Sequence, residues 1–136
     1  MSFLRHSDFT SPELAARQRR GRRAYHAGLG AEESVERHYR RRGFAVAARR
    51  CRNGGGELDL VLRDGARLVF VEVKQSRDFA SAAARLSVRQ IARLHRAAEV
   101  FLAGEPAGSL TECRFDVALV DGRGEIEILE NAQMGF

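Results

Sequence analysis

The chain has 136 residues, close to the usual size of one domain and enough to enclose one hydrophobic core. With 44% apolar and 30% charged residues it is neither a collagen nor a disordered polyelectrolyte, and two cysteines are too few for a disulfide scaffold. The net charge of +5 is uneven: residues 1–52 carry 13 basic and 5 acidic side chains, residues 53–136 carry 10 and 13. A basic N-terminal part beside an acidic remainder suits a polyanion docking next to a site that uses carboxylates. No run of 18 apolar residues occurs and no hydrophobic leader follows Met1, so the expectation is a cytoplasmic protein with no membrane partner. Cys51 and Cys113 lie in unrelated contexts and read as reduced thiols. Of the 23 basic side chains, Lys74 alone is a lysine, a compact ammonium in a chain that otherwise uses guanidinium.

Residues 1–20 read as a loose or helical basic extension and 21–136 as the domain. Ser11-Pro12-Glu13 fits the start of a basic helix running to about Ala27, broken by Gly28-Leu29-Gly30. A second helix follows with Ala31, Val35, His38 and Tyr39 on one face. Glu32, Glu33 and Glu36 fall early in it, Arg40, Arg41 and Arg42 in its last turn, and Gly43 stops it. Phe44–Arg50 then reads as a strand, and Arg52-Asn53-Gly54-Gly55-Gly56 as a mobile loop. Glu57–Arg63 alternates, placing Leu58, Leu60 and Leu62 on one face and Glu57, Asp59 and Val61 on the other. Asp64-Gly65 is a hairpin signal, and Arg67–Lys74 is the return strand, nearly continuously apolar as a strand covered on both faces should be.

A variable connection spans 75–86. Ser87-Val88-Arg89-Gln90 fits a capping box opening a helix to Gly104, with Val88, Ile91, Leu94, Ala98, Phe101 and Leu102 as its buried stripe. Arg114–Val120 and Glu125–Leu129 are two further strands, and Arg114 with Asp116 reads as a structural ion pair. The order α-β-β-β-α-β-β describes a single α/β domain with a mixed sheet flanked by helices. The triple glycine lacks a following lysine and helix, which excludes a nucleotide-binding loop.

Folding the hairpin about Asp64-Gly65 pairs Val61 with Leu68, Asp59 with Phe70 and Glu57 with Glu72. Glu57, Asp59, Glu72 and Lys74 then share one face. A two-residue shift of the turn keeps that parity and sets Asp59 opposite Glu72. Crowded carboxylates need a proton, solvent or a cation, and oxygen donors point to Mg²⁺ or Mn²⁺. Such a cation beside a lysine suits phosphodiester hydrolysis. The other reading is an exposed polar sheet face with cross-strand ion pairs.

Gly55-Gly56-Glu57-Leu58-Asp59-Leu60-Val61, Leu68-Val69-Phe70-Val71-Glu72-Val73-Lys74 and Arg114-Phe115-Asp116-Val117 resemble the bacterial YraN-like family, UPF0102, over about residues 21–131. That family in turn resembles the PD-(D/E)XK nucleases, which include restriction endonucleases and Holliday-junction resolvases. The resemblance implies a restriction endonuclease-like core with Asp59, Glu72 and Lys74 as catalytic residues. It implies Glu32, Asp59 and Glu72 as metal ligands and Glu57 as a ligand or a residue just behind the ligands, the other reading of Glu57 being a strand-edge salt-bridge partner. Arg19, Arg20, Arg22, Arg23, Arg40, Arg41, Arg42 and Arg52 are the expected nucleic-acid contacts. The implied activity is Mg²⁺- or Mn²⁺-dependent cleavage of DNA, branched or single-stranded, with RNA as a further substrate class and a homodimer by analogy with resolvases. The alternative is a nucleic-acid-binding module that keeps the fold without the chemistry. Ala31, Arg50 and Gln90 depart from the residues frequent in that family.

Overall fold

A computed structural model of the chain describes residues 30–132. The helix expected over residues 11–27, and with it Arg19, Arg20, Arg22 and Arg23, lies outside them. The chain divides into two compact units, Met1–Gly30 and Ala31–Phe136, and the fold is that of the second. It starts with α1, residues 30–40, whose buried positions Ala31, Val35 and Tyr39 recur every four residues. Gly43, at φ +94°, ends the turn after it, as expected of a glycine stop. Then come β1 (Ala45–Asn53), β2 (Gly56–Asp64), β3 (Arg67–Gln75), α2 (Phe79–Ala84), α3 (Val88–Leu102), a 3₁₀ turn (Gly108–Leu110), β4 (Cys113–Val120) and β5 (Ile126–Leu129).

The five strands lie in sequence order, and the sheet is mixed. β1, β2 and β3 are antiparallel neighbours, β3 and β4 are parallel across the helical crossover, and β5 returns antiparallel to β4. Apolar residues on both faces of β2 and β3 require a helix on each side. Leu60, Leu62, Val69 and Val71 pack with α1, whereas Leu58, Val61, Leu68 and Phe70 pack with Leu94, Ala97 and Ala98 of α3. α2 lies in the stretch expected to be an irregular connection and covers Val117 and Leu119 through Ala82. Among the described residues no helix is long and apolar enough to cross a membrane.

Three expectations are corrected. The hairpin turn is Gly65-Ala66, not Asp64-Gly65: Asp64 pairs with Arg67, Leu62 with Val69 and Leu60 with Val71. Gly65 has φ +65°, and a positive φ at the first central position alone is the II′ pattern that suits strand twist. Leu58 does not share a face with Leu60 and Leu62, because the alternation of β2 breaks at Asp59. Val88 is 76% exposed rather than part of the buried stripe of α3, since it stands at the first residue after the cap, before the buried face begins at Ile91. The capping box itself forms, with Ser87 Oγ accepting from the Gln90 amide and Gln90 Oε1 from the Ser87 amide.

Two polar arrangements fix the layers. Asp116 is fully buried on β4 and accepts from Tyr39 Oη of α1 at 2.7 Å, from Arg114 Nε at 3.0 Å and from the Asn131 amide at 2.9 Å. A buried carboxyl group needs such a set of donors to replace the water it loses. On the other face, the glycines after Asn53 form a two-residue turn packed on α3 rather than an open loop. Asn53 Nδ2 donates to the Ala97 carbonyl at 2.9 Å, and Asn53 Oδ1 accepts from the Gly55 amide at 2.8 Å. A Cβ on Gly55 would stand 2.5 Å from the carbonyl carbon of Arg96, whereas one on Gly54 would meet nothing within 4 Å.

Gly55→Ala therefore should lower stability by about 1–3 kcal/mol, since backbone on both sides must separate. Gly54→Ala should change it by less than about 0.5 kcal/mol. Thermal unfolding of the two variants checks this; equal melting temperatures would contradict the close packing of the turn on α3.

Candidate active site

The site forms where the β2–β3 ladder ends. The last pair of the ladder is Leu60 with Val71, and the next step of that register brings Asp59 opposite Glu72. There the backbone pattern gives way: the Val73 amide donates to Asp59 Oδ2 at 2.9 Å. The carboxylates of Asp59 and Glu72 meet within a cleft of about 280 Å³ whose wall also includes Glu32, Glu57, Lys74 and, from α3, Gln90 and Arg93. Lys74 Nζ lies 3.4 Å from Glu72 Oε2, and both side chains are about 15% exposed. Asp59, Glu72 and Lys74 are thus brought together, with Glu57 exposed at the rim, 3.8 Å from Arg52.

Burial and then the adjacent Glu72 charge push the Asp59 carboxyl up to about 7. Burial also raises Glu72, against the pull of Lys74. The hydrogen bond between them raises Asp59 and lowers Glu72, and the pair keeps a proton toward neutral pH. Two carboxylates in a half-buried site cannot both ionise freely, and a proton or a cation must lie between them.

Glu32 reaches the cleft from α1 but is held by a cation of the chain itself. Arg50 Nε donates to Glu32 Oε1 at 2.8 Å. Burial raises the Glu32 carboxyl and Arg50 lowers it, with the Asp59 charge adding to the rise. Among the described residues no three of His, Cys, Asp and Glu converge closely enough to enclose a metal ion as they stand. Arg50 owes its direction to its backbone: at φ +46° it is a non-glycine residue in the left-handed region, inside β1. By register it lies opposite Asp59, between the pairs Arg49 with Leu60 and Cys51 with Leu58. Both strands lose their alternation at this one step. Arg49 stays on the α1 side, where Glu36 accepts it at 2.6 and 2.8 Å, while Cys51 joins the α3 side.

The expected phosphate contacts are placed less freely than their charge suggests. Arg40 lies 3.4 Å from Glu36, Arg42 donates to the His38 carbonyl at 2.8 Å and Arg52 faces Glu57; Arg41 is exposed. Sequence reasoning passed over Arg50, Arg93 and the Val73 amide, and assigned Gln90 to capping alone although it both caps α3 and lines the cleft. Helix phase from Gln90 could have found Arg93, three residues on. The break at Arg50 has no signal in the side-chain pattern.

The Asp59 shift has a definite sign. A carboxyl raised in the folded state binds a proton that the unfolded chain has released, so its contribution to stability falls as pH climbs from about 4 through about 7. Asp59→Asn mimics the protonated form, since its Oδ1 can still accept from Val73 and its Nδ2 can donate to Glu72. The variant's stability relative to the wild type should rise with pH, by about 2–3 kcal/mol between pH 5 and pH 8. Denaturant unfolding across that range checks this, and parallel stability curves would contradict the shared proton.

Residues 31–120, which carry α1, the sheet through β4 and both later helices, match the uncharacterised protein family UPF0102. The chain is 59% identical over 112 residues to a UPF0102 protein of Cereibacter sphaeroides strain KD131, covering 82% of this chain and 96% of that one. It is 60% identical over 113 residues to one from Ruegeria pomeroyi, covering 83% and 92%, and 53% identical over 121 residues to one from Roseobacter denitrificans, covering 89% and 94%. The match spans every element that builds the cleft, and the chain belongs to the UPF0102 family.

Proposed function

We propose that the protein is a metal-dependent nuclease with a restriction endonuclease-like core that hydrolyses phosphodiester bonds in DNA, branched or single-stranded. The observation that carries this reading is the facing of Asp59 and Glu72 at the end of a strand ladder, with the Lys74 ammonium 3.4 Å from Glu72. The donor set fits a hard divalent cation. It consists of carboxylate oxygens only, and the proton that Asp59 and Glu72 share marks a charge that a cation can replace. Two carboxylates are enough for Mg²⁺ or Mn²⁺, which complete their coordination with water and substrate phosphate. Asp59 and Glu72 would hold it, and Glu32 would be a further oxygen donor if released from Arg50.

When bound, such a cation draws charge from a phosphoryl oxygen and lowers the pKa of a bound water. The residues of the chain do the remainder. Lys74 orients the attacking water and offsets negative charge that builds on the phosphate. The Val73 amide keeps Asp59 aimed into the cleft, and Glu72 holds Lys74 in place. A second reading, DNA binding without cleavage, is favoured by one observation, the hold of Arg50 on Glu32.

Incubation with duplex, single-stranded, flap and four-way-junction DNA and with RNA, in Mg²⁺, Mn²⁺ or EDTA, tests the proposal. Cleavage of at least one DNA substrate should require metal. Glu72→Ala and Lys74→Ala should each lower it by about 10²-fold or more. Lys74→Arg should also lower it strongly, because a planar guanidinium keeps the charge but misplaces the water. Cleavage that persists in Glu72→Ala would contradict the assignment, and binding of metal and DNA with no cleavage would establish the second reading.

A further inference from the structure

The cleft presents a problem of approach: its walls carry Glu32, Glu57, Asp59 and Glu72, which repel a phosphate. Several arginines nearby already have partners, Arg49 and Arg40 on Glu36, Arg50 on Glu32 and Arg52 beside Glu57. α3 is different. Arg89, Arg93 and Arg96 are exposed and follow one another at steps of four and three, so they share one helix face. Among the described residues none of the three has a carboxylate within ion-pair distance. Like charges at such spacing destabilise a helix. Arg89 also falls in a first turn with no acidic residue, where the helix dipole disfavours a cation.

The row is held rigidly and aimed. The opposite face of α3 is buried through Ile91, Leu94, Ala97 and Ala98, and the glycine turn clamps its backbone at Arg96 and Ala97. Arg93 lines the cleft itself. From Arg89 to Arg96 the helix rises about 10 Å, an interval over which long arginine side chains can reach successive phosphates of one strand. We infer that Arg89, Arg93 and Arg96 form a track that seats the phosphate backbone of a DNA strand and leads it to the carboxylate cleft. This deepens the proposed function and rests on it. Phosphate contacts of this kind position a strand without reading its sequence, so the track confers affinity that depends on salt and not on bases.

The test uses the full chain in EDTA, so that binding is read without cleavage, with a fluorescent 20-nucleotide single-stranded DNA titrated from 50 to 300 mM salt. Removing all three charges, in a variant carrying Arg89→Gln, Arg93→Gln and Arg96→Gln, should weaken binding and reduce the slope of log K against log salt by about 2. A control carrying Arg37→Gln, Arg77→Gln and Arg123→Gln removes the same charge from exposed sites elsewhere and should keep the wild-type slope. Circular dichroism confirms that both variants fold. An unchanged slope in the α3 variant, or an equal loss in both, overturns the track while leaving the nuclease reading intact. Failure of the wild type to bind DNA at 50 mM salt overturns the track and the DNA reading together.

Discussion

The amide of Val73 donates to the carboxylate of Asp59 and not to a backbone carbonyl of the neighbouring strand, and the arrangement of the cleft follows from that exchange. A strand that continued its ladder would turn Asp59 into one more alternating side chain. Here the ladder stops at Leu60, Leu58 drops to the α3 side, and Asp59 is turned into the company of Glu72. Two buried acids so placed hold one proton between them. Lys74 and Arg50 flank this pair on its two sides, Lys74 beside Glu72 and Arg50 on Glu32.

Support for that end of the sheet comes from both layers. On the α1 side, Tyr39 and Arg114 share the buried Asp116, which ties the helix bearing Glu32 to β4. On the α3 side, Gly55 lets the β1–β2 turn touch the helix backbone, fixing where Gln90 and Arg93 stand relative to the carboxylates. Positions far from the cleft therefore control its geometry through packing.

Much of this was legible in the sequence. Alternation and turn residues yield the mixed sheet and its helices, the capping box at Ser87, the Arg114–Asp116 pair and the gathering of Asp59, Glu72 and Lys74. Parity carries that last inference, since moving the turn by one residue shifts the pairing by two and leaves the faces unchanged. The rest depends on tertiary contacts. The turn moved to Gly65-Ala66 because only glycine suits the positive φ there, and Asp64 and Arg67 close the hairpin as a pair at 2.6 Å. Leu58 changed face because a side-chain acceptor replaced a backbone one at the next residue, which periodicity does not encode. The basic charge of residues 40–52 suggested free phosphate contacts, but Glu32, Glu36 and Glu57 engage arginines there, and counts of charge do not reveal pairs.

The claim at the centre is that Asp59 and Glu72 exchange their shared proton for a divalent cation. Calorimetric titration of Mn²⁺ at pH 6.5, in two buffers of different ionisation enthalpy, measures the protons released per metal bound. With Asp59 titrating near 7, about three-quarters of a proton should leave for each cation, and the release should vanish in Asp59→Asn. Binding with no proton release, or release that persists in Asp59→Asn, would contradict the account.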